Sequence, residues 1–212
     1  MYAAVGFWVG ERLFRFVRHF AGAAHHKLYV RTPLVKAQAQ VLHGAVVLKV
    51  PYPNGGWIAG QHVYVSFWGL DVFRKSQSHP FSIVNASRTI DAKDDSPQEL
   101  ELVLRIKSGV TKKLADYIIK HSNSLPASAL VTISMEGPYG FAPSPAEDFE
   151  SVLLFAGGSG ITHPASILDY LMQKVEQKLA VTSQIKLVWA IQHLGAFRIF
   201  FLCSALCNSH AF

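Results

Sequence analysis

The sequence predicts an antiparallel β barrel followed by an α/β lobe, and three observations carry that prediction. From Leu28 to about Met135 apolar residues recur with period two, as in Val35, Ala37, Ala39 and Val41, the signature of half-buried strands. After PSPAED the pattern changes to a buried run, a helix-like segment and a second buried run, ESVLLF to QIKLVWAIQ, which is a βαβ unit. Between the two runs lies LFAGGSGIT, Leu154 to Thr162, a strand leading through glycines into a helix. Such a turn bares backbone N–H groups to a phosphate and adds the positive end of a helix dipole.

Taken in order, residues 1–27 form an apolar and then basic segment. Tyr2 to Val9 is apolar, and ERLFRFVRHF follows, interleaving Leu13, Phe14, Phe16, Val17 and Phe20 with Arg12, Arg15, Arg18 and His19. At helical spacing this is amphipathic and basic. Eight apolar residues cannot cross a hydrocarbon core that needs about twenty, and a secretory signal would carry its charges first. Two readings fit: the end of a transmembrane helix passing into a juxtamembrane helix, or a surface helix docked on the protein's own core.

Residues 28–145 are the expected barrel, with five or six strands and one helix. Strands are expected around Val35 to Val41, Val46 to Val50, HVYVSFW, HPFSIV, ELELVLRI and ALVTISM, with turns at PYPNGG and WGLD. The polar stretch Ser87 to Glu99, with four acids and a proline, reads as a surface loop. In HPFS, Pro80 belongs at a strand's entry because it lacks a ladder donor. Thr111 reads as the N-cap of a helix, TKKLADYIIKHS, whose first N–H groups would form an anion site. GPYGF ends the barrel.

Residues 146–195 are expected to be a partial nucleotide-binding lobe, with a helix from about Pro164 to Leu179. The second strand ends at Gln192 and His193, so neither an acid nor an arginine stands where such sites often select between a ribose hydroxyl and a ribose phosphate. Residues 196–212 read as an atypical apolar tail, since only two of the roughly five strands of a doubly wound domain are visible. A truncation product or a misread gene is the hypothesis for that tail.

Composition bounds these readings. A chain of 212 residues, 50% hydrophobic, suits one domain or two small ones. The formal charge is +6, and residues 1–49 hold seven basic groups against one acid while the remainder holds thirteen of each. A basic N-terminal quarter suits an anionic membrane surface better than nucleic acid. Cys203 and Cys207 fit no zinc spacing. Gly158-Ser159-Gly160 lacks the nucleophile-elbow spacing of a hydrolase.

Four motifs then stand in order: HPFS (His79, Pro80, Phe81, Ser82), RIKSGVTKKL (Arg105 to Leu114), EGPYG (Glu136 to Gly140) and AGGSGIT. As an ordered set, over about Phe7 to Leu194, they resemble the flavin and nicotinamide module of the ferric reductase and NADPH oxidase family, with a nearer likeness to fungal and plant-type ferric-chelate reductases. The resemblance implies a ferredoxin-reductase-like fold: an FAD-binding barrel and an incomplete Rossmann-like lobe. It implies that Ser82 hydrogen-bonds near the reactive edge of the flavin, with His79, Pro80 and Phe81 as the surrounding wall. It further implies that Arg105 or Lys107 neutralises the FAD pyrophosphate while Gly109, Val110 and Thr111 donate at a helix start, and that Tyr139 lines the flavin's open face. For the lysines of this segment a solvated basic face is the open alternative. Gly157, Gly158, Ser159, Gly160, Ile161 and Thr162 would hold a nicotinamide nucleotide, NADPH by the family's habit and NADH not excluded.

The function so implied passes electrons from NADPH through FAD toward a ferric chelate, normally by way of haems in a transmembrane domain, on the cytoplasmic face of a membrane. None of the ten histidines lies on a long apolar helix, so haem is expected only in a full-length relative. The alternatives are an NADPH oxidase, against which Val110 stands where that group typically has tryptophan, and a remnant that binds flavin only. No Cys-Gly pair of the kind the family carries near its C-terminus occurs in this chain.

Overall fold

A computed structural model describes residues 2–21, 34–52, 56–70, 78–87, 98–122, 124–140 and 145–191. The first element, α1 (Tyr2–Ala21), is one continuous helix that joins the apolar and basic halves of the N-terminal segment. Phe7, Trp8, Leu13 and Phe14 on it are exposed, and the Arg12 guanidinium lies 5.4 Å from the Trp8 ring. Among the described residues no helix is long and apolar enough to cross a membrane.

The period-two region forms six strands: β1 (Val35–Leu42), β2 (Ala45–Tyr52), β3 (His62–Trp68), β4 (His79–Ser82), β5 (Gln98–Arg105) and β6 (Ser128–Tyr139). They pair antiparallel in the order β4-β3-β6-β1-β2-β5. The β1–β2 hairpin turns on His43 and Gly44, both at positive φ, the two-residue turn whose twist matches its strands. The two ends of the sheet meet where Ile83 bridges Leu102 and the Val84 N–H donates to the Glu101 carbonyl. Asn85 extends that seam with its side chain, which donates to the Glu99 carbonyl and accepts from the Glu101 N–H. The sheet is thereby closed into a barrel.

Inward-facing residues of the strands fill the interior. Ala37, Leu48, Val63, Val65, Leu100, Leu102, Leu104 and Ile133 are essentially sealed from solvent. Helix α2 (Val110–His121) adds Leu114, Ala115 and Ile118 to the same core. A helix reaches the interior of a closed barrel only through its end, so α2 is the stopper.

Within the barrel, three expectations need correction. Pro80 is the second residue of β4 and pairs with Tyr64 instead of opening the strand. It is tolerated because, among the described residues, β4 is the last strand of the hydrogen-bonded order and the bonding to β5 begins beyond it, at Ile83. The loop expected at 87–99 ends earlier, since Gln98 and Glu99 are already paired with Tyr52 and Pro51 in β5; residues 88–97 lie outside the described set. Thr111 is not the N-cap. Gly109, at φ 85° and ψ −133°, occupies that position without a side-chain cap, a conformation suited to glycine, so the helix starts one residue before Thr111.

The α/β lobe consists of β7 (Ser151–Gly157), a 3-10 turn over Gly158–Ile161, α3 (Thr162–Glu176) and β8 (Gln184–Ala190), with β7 and β8 parallel and in register. Its helix ends before the expected Leu179, because Lys178 turns to φ 58° and the Leu179 N–H folds back to the Lys174 carbonyl. Gln192, His193, Cys203 and Cys207 lie outside the described residues.

Candidate functional site

Strand register decides which side chains share a surface. Val63 pairs with Phe81 and Val65 with His79, while His62 pairs with Ser82 and Tyr64 with Pro80. Val63 and Val65 are core residues, so Phe81 and His79 take the inward parity. Phe81 packs against the core, with its ring 6.5 Å from that of Phe67. Ser82 and Pro80 take the outward parity with His62 and Tyr64. HPFS is therefore split: two of its residues belong to an outer face and two back it.

Tyr139 joins the outer face by way of a bulge. Tyr64 pairs with Glu136 but His62 pairs with Tyr139, so three steps on β6 oppose two on β3. Without that extra residue Pro138 would stand opposite His62; such bulges re-aim side chains at sheet rims. The rings of His62, Tyr64 and Tyr139 then lie 5.6–6.1 Å apart between centroids. Gly137, at φ 123°, makes room, since a Cβ there would come within 3.2 Å of the His62 carbonyl oxygen. The result is an aromatic shelf beside the Ser82 hydroxyl.

The basic turn follows β5, the strand on which β4 closes. Antiparallel closure at Ile83–Leu102 carries the residues before Ile83 alongside the end of β5 that bears Arg105. Arg105, Lys107 and Gly109 are exposed. The Thr111 Oγ1 accepts the Lys107 N–H at 3.0 Å, and the Lys113 N–H bonds the Gly109 carbonyl. The first-turn N–H groups of Val110, Thr111 and Lys112 precede the first intrahelical bond and make a natural anion seat. Thr111 thus shapes the turn in place of capping the helix.

The glycine turn is open where a phosphate would approach. A Cβ built at Gly157, Gly158 or Gly160 meets nothing within 4 Å. Trp189 at the end of β8 donates its indole N–H to the Gly158 carbonyl at 2.9 Å, holding the turn at the sheet's rim. Thr162 Oγ1 reaches the Ser159 carbonyl at 3.5 Å, Ser159 is exposed and Ile161 is buried beneath. His62 and Tyr64 escaped sequence reasoning. The alternation of HVYVSFW places them outward, but only the pairing register brings them beside Ser82.

A profile of the FAD-binding domain family matches residues 31–143, and a profile of the ferric reductase NAD binding domain matches residues 149–211. The chain belongs to the ferric reductase family. It is 34% identical over 167 residues, 77% of its length, to ferric reductase transmembrane component 3 of Saccharomyces cerevisiae, of which it covers 20%. To a probable ferric reductase transmembrane component of Candida albicans it is 29% identical over 197 residues, 91% of the chain and 25% of that protein. The chain thus spans a fifth to a quarter of the length of these two relatives. Its fold resembles a ferredoxin NADP+ reductase from Neisseria gonorrhoeae, solved with FAD and NADP, at 17% identity and a TM-score of 0.56, over 84% of this chain and 64% of that one. A ferredoxin-reductase-like barrel with part of an α/β nucleotide-binding lobe is therefore the fold of the described residues.

Proposed function

We propose that the chain is the flavin and nicotinamide module of a ferric-chelate reductase, accepting electrons from NADPH on FAD and passing them toward ferric iron. The observation that supports this reading is the closure of β4 on β5: it sets the outward Pro80 and Ser82, which stand beside the His62, Tyr64 and Tyr139 rings, next to the strand that leads through Arg105 and Lys107 into an uncapped helix start. The geometry suits FAD, because a flat ring needs an exposed aromatic face and a pyrophosphate needs donors with no competing cap. The open glycine turn suits a nicotinamide nucleotide in the same way.

When bound, FAD supplies the exchange between a two-electron hydride donor and one-electron acceptors; the protein supplies placement. Ser82 Oγ offers a hydrogen bond at the ring's edge, and Pro80 and Tyr64 form the wall it rests on. Phe81 and His79 hold the strand from behind. Val110, Thr111 and Lys112 present N–H donors to the pyrophosphate, with Arg105 and Lys107 balancing its charge. On the other side Gly157 to Thr162 offer backbone donors to the nicotinamide nucleotide. The transmembrane relatives and the basic, apolar-faced α1 support attachment to a membrane at its cytoplasmic face, with a transmembrane haem domain as the next electron carrier.

FAD titration of the purified chain tests the flavin half. Replacing Ser82 by Ala should weaken FAD by about tenfold, one charge-free hydrogen bond at most. Arg105→Gln should weaken FAD and flatten the salt dependence of its affinity. A folded chain that binds FAD equally well in both variants would remove these residues from the site.

A further inference from the structure

The face of α3 that follows the glycine turn carries His163, Ser166 and Asp169 at three-residue intervals, and all three reach the barrel backbone. The Gly60 N–H donates to Ser166 Oγ at 2.8 Å, and that hydroxyl in turn donates to the His163 carbonyl at 3.0 Å. His163 Nδ1 lies 3.1 Å from the Gly60 carbonyl oxygen. The Ala86 N–H donates to Asp169 Oδ2 at 2.8 Å. Ser166 is fully buried and Ala86 nearly so. At Gly60, with φ 86°, an added Cβ would fall 2.9 Å from His163 Cε1, so barrel and helix are in direct contact there.

The two gripped points bracket the strand that carries Ser82. Gly60 lies two residues before His62, and Ala86 lies four after Ser82. The Ile83 N–H donates to the Gln61 carbonyl at 3.0 Å, tying the points together. The same helix begins at Thr162, directly after the glycine turn. A single rigid element therefore connects the proposed nucleotide turn to the proposed flavin strand.

We propose that Ser166 and Asp169, with His163, are positioning residues: they fix the glycine turn relative to the Ser82 strand and so set the distance over which hydride passes. This rests on the flavin and nicotinamide reading above. Misplacement by about 1 Å at a reacting pair costs on the order of a hundredfold in rate, whereas affinity for either ligand alone is set by contacts within its own unit.

The test uses the full chain loaded with FAD, comparing Asp169→Ala, Asp169→Asn and Ser166→Ala with the parent. Three quantities are measured: flavin bound per chain, amide hydrogen exchange at Gly60 and Ala86, and the rate of flavin reduction at saturating NADPH without oxygen. Asp169→Ala should keep its flavin, exchange the Ala86 amide about tenfold faster, as expected for one lost hydrogen bond, and be reduced about ten to a hundred times more slowly. Asp169→Asn retains an acceptor oxygen and should restore most of the rate. Ser166→Ala should act in the same direction through Gly60, which keeps the test available if Asp169→Ala does not fold. Faster amide exchange with an unchanged reduction rate overturns the positioning role and leaves the nicotinamide reading standing. A parent chain that holds FAD but is never reduced overturns the nicotinamide reading itself, and the positioning role falls with it.

Discussion

The barrel and the lobe are built on different physics. In the barrel, six strands and α2 enclose one apolar core, with Leu48, Ile83, Leu100, Leu102, Leu114 and Ile118 sealed from solvent. In the lobe, β7 and β8 alternate exposed and half-buried residues, and Leu153, Phe155 and Val188 are exposed on the face away from α3. The lobe is joined at its base by polar contacts: Tyr170 Oη donates to Glu147 at 2.7 Å, and Thr182 Oγ1 bonds the Ala146 and Phe149 carbonyls. The difference teaches where rigidity comes from at each half of the site. The Ser82 strand is fixed by the barrel core, while the glycine turn is fixed by the Trp189 indole, by the buried Ile161 and through α3 and what α3 grips.

The sharpest way to break the comparison is a cavity in the barrel. Leu102→Ala removes a fully buried side chain at the seam that closes the sheet and should cost about 2–5 kcal/mol, measured by urea denaturation. A loss as small as that at a lobe surface position would show that the barrel core does not dominate stability.

A middle-sized effect probes the polar base of the lobe. Tyr170→Phe removes the hydrogen bond to Glu147 and should cost about 1 kcal/mol. Burial, then the hydrogen bond and charge of Glu147, push the Tyr170 hydroxyl up from 10.0 to about 12. Between those values the unfolded chain gives up the proton and the folded chain keeps it, so this group's stabilisation is present below pH 10 and is lost as pH rises toward 12. Thermal melts over that window should show a shallower alkaline decline in Tyr170→Phe than in the parent.

The smallest effect is expected at Leu153→Ser. That side chain is 53% exposed, and its replacement should change stability by no more than about 0.5 kcal/mol. A much larger loss would mean the outer face of the lobe is as well packed as the barrel.

What the sequence made legible follows the same divide. Strands were visible from Val35 to Met135 because most of them bury one face more deeply than the other, which period two records; β2 instead buries four successive residues, Ala45 to Leu48. The βαβ unit was visible as two apolar runs flanking a helical one, although both strands, expected to be buried, alternate exposed and half-buried residues; the glycine turn was visible by its three glycines. The aromatic shelf was only half visible: Tyr139 stood in a motif, whereas His62 and Tyr64 depend on a bulge opposite Gly137 that changes register without marking either residue. Thr111 was misassigned because a serine or threonine before a helical run is the usual cap, and the positive φ of Gly109 that displaces it is not written in spacing. Asp169, the one charged residue in ASILDYLM, gave no sign of its partner, since the amide it accepts from lies 83 residues away in the chain.

The central claim is that one chain holds flavin on the barrel shelf and nicotinamide on the glycine turn, close enough for hydride transfer. Its most direct test is an anaerobic titration of the purified, FAD-loaded chain with NADPH, following the flavin absorbance. Stoichiometric bleaching of bound flavin is the expected result; a folded chain that takes up no FAD, or whose bound flavin stays oxidised in excess NADPH, contradicts the flavin and nicotinamide reading.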